Sequence, residues 1–127
     1  MTRAVLLVDD NAVQAATRRA ILTRAGNDVT VASGASSALL ALEHDSLLSS
    51  LGLVITDHLM PGMNGPEFVR RLRKFAPTLP VLVVSGLSEA EPEYAELDVL
   101  FRIKPFAPEQ LIALVCSILD CPISRTA

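Results

Sequence analysis

The residues of this chain best suited to chemistry stand at the ends of short apolar runs. Leu53-Val54-Ile55-Thr56 runs into Asp57, and Ala4-Val5-Leu6-Leu7-Val8 runs into the pair Asp9-Asp10. Val81-Leu82-Val83-Val84 is followed by Ser85, and Val99-Leu100-Phe101-Arg102-Ile103 by Lys104. If these runs are parallel strands, their last residues share the edge where open α/β sheets bind ligands. Three carboxylates crowded there repel one another, and a cation must offset them. An oxygen-only donor set suits Mg²⁺ (or Mn²⁺). A divalent ion beside a carboxylate, with an ammonium and a hydroxyl near, is a setting for phosphoryl transfer. Asp57 is the nucleophile in that scheme and would become an aspartyl phosphate. Ser85 would hydrogen-bond one phosphoryl oxygen and Lys104 would pair with another.

Singly, these residues have plainer readings. Asp9 and Asp10 could cap the helix that follows them, and Ser85 could be a turn residue before Gly86. Phe101 could be a static core ring. His58 reads as a neighbour of Asp57 that points to the other side of its loop, not as a base. The basic run Arg70 to Lys74 reads as a solvated helix face.

The elements that must position the site follow from periodicity. Continuous apolar runs of four or five residues bounded by turn signals mark buried strands: Arg3 to Val8, Val29 to Ala32, Leu53 to Thr56, Val81 to Val84 and Val99 to Ile103. A helix is predicted from Asn11 to Ala25, with Val13, Ala16, Ala20 and Ile21 inward, Gln14 and Arg18 pointing away, and Gly26 as its stop. Ser33-Gly34 leads into a helix to about His44 whose apolar face carries Ala35, Ala38, Leu39 and Leu42. Leu47 to Gly52 is a connector. Asn64 and Glu67 have the spacing of a capping box, opening a helix with Phe68, Val69, Leu72 and Phe75 inward. Pro108 opens a last helix with Leu111, Leu114, Val115 and Ile118 inward, ending near Asp120. The tail after Pro122 is expected to fray.

One crossover is irregular. Ser88 to Asp98 carries Glu89, Glu91, Glu93, Glu96 and Asp98, no basic residue, and Pro92 in its middle. At most a short helix fits there, started by Pro92. Strands alternating with helices predict an α/β fold: a single doubly wound five-stranded parallel sheet with flanking helices and right-handed crossovers.

Composition sets the outer limits. The 127 residues suit one domain, with a core at about residues 3–120 and a C-terminal tail at 121–127. Half of the residues are hydrophobic and Trp is absent, so the core is aliphatic. No run approaches the ~18 apolar residues that cross a bilayer, and no signal segment opens the chain, so a cytoplasmic protein is expected. A formal net charge of -3 argues against nucleic acid as the main partner. Cys116 and Cys121 fit neither a zinc pattern nor a disulfide framework, and Cys116 is expected to be buried.

The order Asp-Asp, then Asp57 followed by His-Leu-Met-Pro-Gly-Met-Asn-Gly, then Ser85, then Lys104-Pro105-Phe106 resembles the receiver domain of two-component response regulators over almost the whole chain. The Asp-His-Leu-Met-Pro-Gly-Met and Val-Ser-Gly phrases are similar to receivers attached to hybrid sensor kinases. The resemblance implies the CheY-like, flavodoxin-like fold and phosphoryl transfer from a sensor histidine kinase or phosphotransfer protein to Asp57. It implies Mg²⁺ held by Asp10, Asp57 and the backbone carbonyl of Leu59, with Asp9 acting through water. It implies a cis bond at Lys104-Pro105, a switch pairing Ser85 with Phe101, and self-promoted gain and loss of phosphate without turnover of a separate substrate.

The kinase is expected to dock near Asn11, Gln14 and Arg18. The stretch from Ser85 to Lys104 is short for the family, so the Ser88–Asp98 surface is expected to be negative and mobile, and the chain a monomer or weak dimer. The other readings are a pseudo-receiver that binds partners without phosphorylation, a receiver fragment of a hybrid kinase, and a hydrolase on the same sheet. The last is disfavoured because Leu59 stands where such enzymes carry a second acid.

Overall fold

In the computed structural model the described residues are 4–44 and 50–126, with side chains described as far as Leu119 apart from that of His44. Residues 47–49 of the expected connector and the side chain of Cys121 therefore lie outside the description, and Leu51 and Gly52 belong to a strand. Five strands, β1 (Ala4–Val8), β2 (Asp28–Ala32), β3 (Leu51–Asp57), β4 (Val81–Ser85) and β5 (Leu100–Ile103), form one parallel sheet in the order β2-β1-β3-β4-β5. Among the described residues the helices that alternate with them are α1 (Ala12–Arg24), α2 (Ala35–His44), α3 (Gly65–Arg73) and α4 (Pro108–Thr126). The fourth crossover is a 3-10 segment, Ser88–Tyr94.

Alternation along the strands divides the core into two layers. Val5, Leu7, Leu53, Ile55, Leu82 and Val84 face α1 and α4, where Leu22, Leu111 and Val115 meet them. Leu6, Val8, Val54, Val81 and Val83 face α2, α3 and the 3-10 segment, packing with Ala38, Leu42, Phe68, Leu72 and Tyr94. Both faces of the sheet are covered at its centre, which is why β1, β3 and β4 are apolar on both sides, whereas the edge strands β2 and β5 are partly exposed. The predicted inward positions of α2 are all buried, as are Phe68, Val69 and Leu72 of α3.

Several local expectations change. The third strand begins at Leu51, two residues before the predicted start, because Leu51 pairs with Ala4 across a register shift in β1. Asn64 caps α3 by accepting from the Glu67 N–H at 3.0 Å, but the Glu67 carboxylate pairs with Arg71 at 2.7 Å. The last helix continues past Asp120 to Thr126, through the predicted tail. Cys116 is half-buried, not buried.

The largest correction concerns α1. Its buried residues are Ala15, Arg18 and Leu22, whereas Val13 is 78% exposed and Ala16 and Ala20 are also exposed. The helix is rotated from its predicted orientation because the acids at the strand ends attract a cation, and Arg18 goes to them. Gly26 ends this helical excursion at a φ of 98°, a conformation open to glycine at little cost.

The acidic crossover is anchored in several places. Ala90 and Tyr94 are buried, and Pro92 lies inside the 3-10 turn, not at its start. Arg73, predicted to be solvated, donates to Ala76 O at 2.9 Å, Leu79 O at 2.6 Å, Leu97 O at 2.9 Å and Asp98 O at 2.8 Å. One guanidinium thus ties the end of α3 to both loops that flank β4 and β5.

Candidate functional site

The site lies at the carboxyl edge of the sheet. Asp57 ends β3 and is 4% exposed; Asp9 follows β1 and is 2% exposed; Asp10 next to it faces solvent. One carboxylate oxygen from each of the three lies within 4.8 Å of the others. Burial, and then the neighbouring Asp57 carboxylate, raise the pKa of Asp9 to about 6. The donors are hard oxygens, and the buried acid pair is under electrostatic pressure that a divalent cation would relieve, so these residues could hold a metal ion.

Cations approach from the other side. Lys104 Nζ lies 2.9 Å from Asp57 Oδ1, brought there by the Lys104 N–H bond to Ser85 O (2.7 Å), which extends the β4–β5 ladder. The contact is an ion pair, and no hydrogen bond to Oδ1 is formed among the described residues. Arg18 NH1 is 3.5 Å from the same oxygen and 3.6 Å from Asp9 Oδ2. The Arg18 guanidinium also lies over the ring of Phe106, 5.9 Å from its centroid.

Gln14 joins the two halves. Its Nε2 donates to Asp9 Oδ2 at 2.9 Å and to Asp57 Oδ2 at 3.4 Å, while its Oε1 accepts from Arg18 NH2 at 3.2 Å and Lys104 Nζ at 3.3 Å. The helix start sets this geometry. Asp9 Oδ1 accepts from the Asn11 N–H at 2.9 Å, and the Asn11 side chain caps α1 by accepting from the Gln14 N–H at 3.0 Å.

The remaining predicted residues are placed as follows. Ser85 ends β4, buried, but its hydroxyl is engaged by Leu87, accepting from the Leu87 N–H at 2.9 Å. Leu59 is 65% exposed in the loop after Asp57. Phe101 is buried, and its ring lies 5.8 Å from that of Tyr94. The Lys104–Pro105 peptide bond is cis. His58, expected on the other side of the loop from Asp57, faces the fourth crossover. It is buried, with Nδ1 2.7 Å from the Tyr94 hydroxyl and Nε2 3.9 Å from Glu93 Oε2.

Gln14, Arg18 and Tyr94 are the site residues that the sequence reading misplaced or passed over. A signal for Arg18 was present: positions 15, 18 and 22 share a helix face that also borders Gln14.

With this geometry, the comparisons with known proteins are unambiguous. The model of the response regulator receiver domain matches residues 5–116. The sensor kinase CckA of Brucella abortus is 36% identical over 120 residues, covering 91% of this chain and 12% of the kinase. The transcriptional regulatory protein SphR of Synechococcus elongatus is 29% identical over 86% of this chain and 46% of its own length. A response regulator receiver protein from Pseudomonas putida superposes with a TM-score of 0.80 at 33% identity, covering 91% of this chain and 96% of that one. The chain belongs to the response regulator receiver domain family, the phosphoacceptor modules of two-component signalling. It spans less than half the length of CckA and of SphR. No helix among the described residues is long and apolar enough to cross a membrane.

Proposed function

We propose that Asp57 accepts a phosphoryl group from a histidine of a sensor kinase or phosphotransfer protein. The observation that carries this reading is the Asp57 carboxylate itself, buried at a strand end among Asp9, Asp10 and Lys104. A carboxylate oxygen of Asp57 attacks phosphorus in line, the P–N bond to the donor imidazole breaks, and the electron pair returns to the nitrogen. Mg²⁺ (or Mn²⁺) held by Asp10, Asp57 and the Leu59 carbonyl, with Asp9 through water, would supply charge neutralisation on the transferring group. Lys104 balances charge on the phosphoryl oxygens. Ser85 would have to leave Leu87 to donate to one of them, and that exchange would be the first move of a switch extending to Phe101.

The donor protein is expected to dock on the exposed start of α1. Arg18 is buried and Gln14 half-buried, so the docking residues shift to Asn11 and Val13, which are exposed. A cytoplasmic, monomeric or weakly dimeric module that promotes its own phosphorylation and dephosphorylation, without turning over a separate substrate, fits this role.

The test is intact mass after incubation with acetyl phosphate and Mg²⁺. Wild type should gain one phosphoryl group and Asp57→Asn none; equal labelling of the two would sink the assignment.

A further inference from the structure

The established family site accounts for Lys104 but not for a second buried cation, and Arg18 is one. It is 9% exposed, its NH1 has no hydrogen-bond partner among the described residues, and the same is true of the Asp57 Oδ1 that it faces. At 3.5 Å, donor and acceptor are near enough for charge attraction but are not hydrogen-bonded. Leaving a buried donor unmatched is costly, and a guanidinium is built to bind oxyanions through several N–H groups at once. Arg18 is held in this position by Gln14 Oε1 on one side and the Phe106 ring beneath it. A cavity of about 370 Å³ opens along the same side, lined by Gln14, Arg18, Lys104 and Phe106 among others.

We infer that Arg18 is a phosphoryl-binding residue, a second cationic ligand beside Lys104 for the group that Asp57 carries. This rests on Asp57 being the phosphoacceptor. Both cations converge on one oxygen, Oδ1, at 2.9 and 3.5 Å. When that oxygen becomes the bridging atom of an acyl phosphate, its charge moves one bond outward onto the phosphoryl oxygens. The unmatched NH1 then has an acceptor, and the guanidinium is released from part of its work of separating Asp9 from Asp57. Ser85 adds to the case, because its hydroxyl is turned to Leu87, so the cationic donors facing Oδ1 are Lys104 and Arg18. Arg18 thereby supplies hydrogen bonds of the charge-assisted kind where charge accumulates.

The probe is beryllofluoride, which mimics a phosphoryl group on a carboxylate, titrated at fixed Mg²⁺ and followed by thermal shift and by ¹⁹F NMR. Arg18→Met, similar in length but uncharged, should need about tenfold more beryllofluoride than wild type, since one charge-assisted hydrogen bond is lost. Arg18→Lys, which keeps the charge and loses the fork, should fall between. Mn²⁺ affinity without beryllofluoride, read from the EPR signal of free Mn²⁺, should not weaken in Arg18→Met, because a cation has been removed from beside the acids. An unchanged beryllofluoride midpoint in Arg18→Met would overturn the inference. So would a loss matched by an equal loss of Mn²⁺ affinity, which would mark Arg18 as merely structural. A wild type as unresponsive as Asp57→Asn would overturn the phosphoacceptor reading and the Arg18 inference with it.

Discussion

The Tyr94 hydroxyl lies 2.7 Å from Nδ1 of His58, the residue directly after Asp57, and both side chains are buried. The rings meet edge to face with centroids 5.6 Å apart, and Tyr94 also touches Phe101. Burial, then the charges of Glu93 and Asp57, push the phenol upward from its ordinary pKa, so it stays protonated and able to donate. The 3-10 crossover is in this way tied to the loop after β3 and to the buried aromatic of β5.

Removing that hydroxyl leaves a buried ring nitrogen without its partner. Tyr94→Phe should cost about 1–2 kcal/mol in urea denaturation. Hydrogen exchange should quicken over residues 88–97 more than in β1 or β3. Uniform exchange across the chain would show that the contact does not hold the crossover.

Gly65 faces the same hydroxyl. A Cβ built at this position would collide with the Tyr94 oxygen and lie 3.1 Å from the His58 Cα. Gly65→Ala should destabilise by about 2 kcal/mol through this clash. The penalty should shrink in a Tyr94→Phe background, since the two changes share one contact. Additive effects in the double variant would place the strain elsewhere.

Asp9 sets a pH dependence in metal-free buffer. Its folded pKa is raised from 3.8 to about 6, so between those values the folded state binds more protons than the unfolded one. Stability from this group is therefore gained as pH falls from 6 towards 4, and above 6 the ionised acid carries its full penalty. Thermal melts should show wild type losing stability between pH 4.5 and 7 relative to Asp9→Asn, with Mg²⁺ restoring it at neutral pH. A constant difference between the two proteins across that range would contradict the assignment.

The carbonyl clamp of Arg73 joins three pieces of backbone through four acceptors. Arg73→Met should lower stability by about 2 kcal/mol. Arg73→Lys should recover little of it, because an ammonium does not span the spread acceptors. Full recovery by Lys, read from the denaturation midpoint, would mean that charge alone is what the loops require.

How legible this protein is varies from element to element. The strand runs, Asn64 as the cap of α3 and the buried face of α2 follow from local periodicity and turn chemistry, which depend on neighbours in the chain. The orientation of α1 did not follow. Val13, Ala16 and Ala20 form an apolar stripe, yet the helix buries the stripe containing Arg18. Burying a guanidinium is unfavourable until Asp9 and Asp57, separated by 48 positions, stand beside it. The partner of His58 and the anchoring of the crossover did not follow for a similar reason: the aromatic at position 94 belongs to a segment whose own pattern is nearly featureless.

By itself the sequence determined the five parallel strands, and with them the delivery of Asp9, Asp10, Asp57 and Lys104 to one edge. Strand direction and the position of a residue at a strand end are local properties, and a parallel topology turns them into a common site. Only the tertiary structure decided which groups neutralise that site. Gln14 and Arg18 turn inward, Ser85 turns to Leu87, and Tyr94 closes over His58, because long-range charge pairing and the matching of buried polar atoms outweigh the local preferences of each segment.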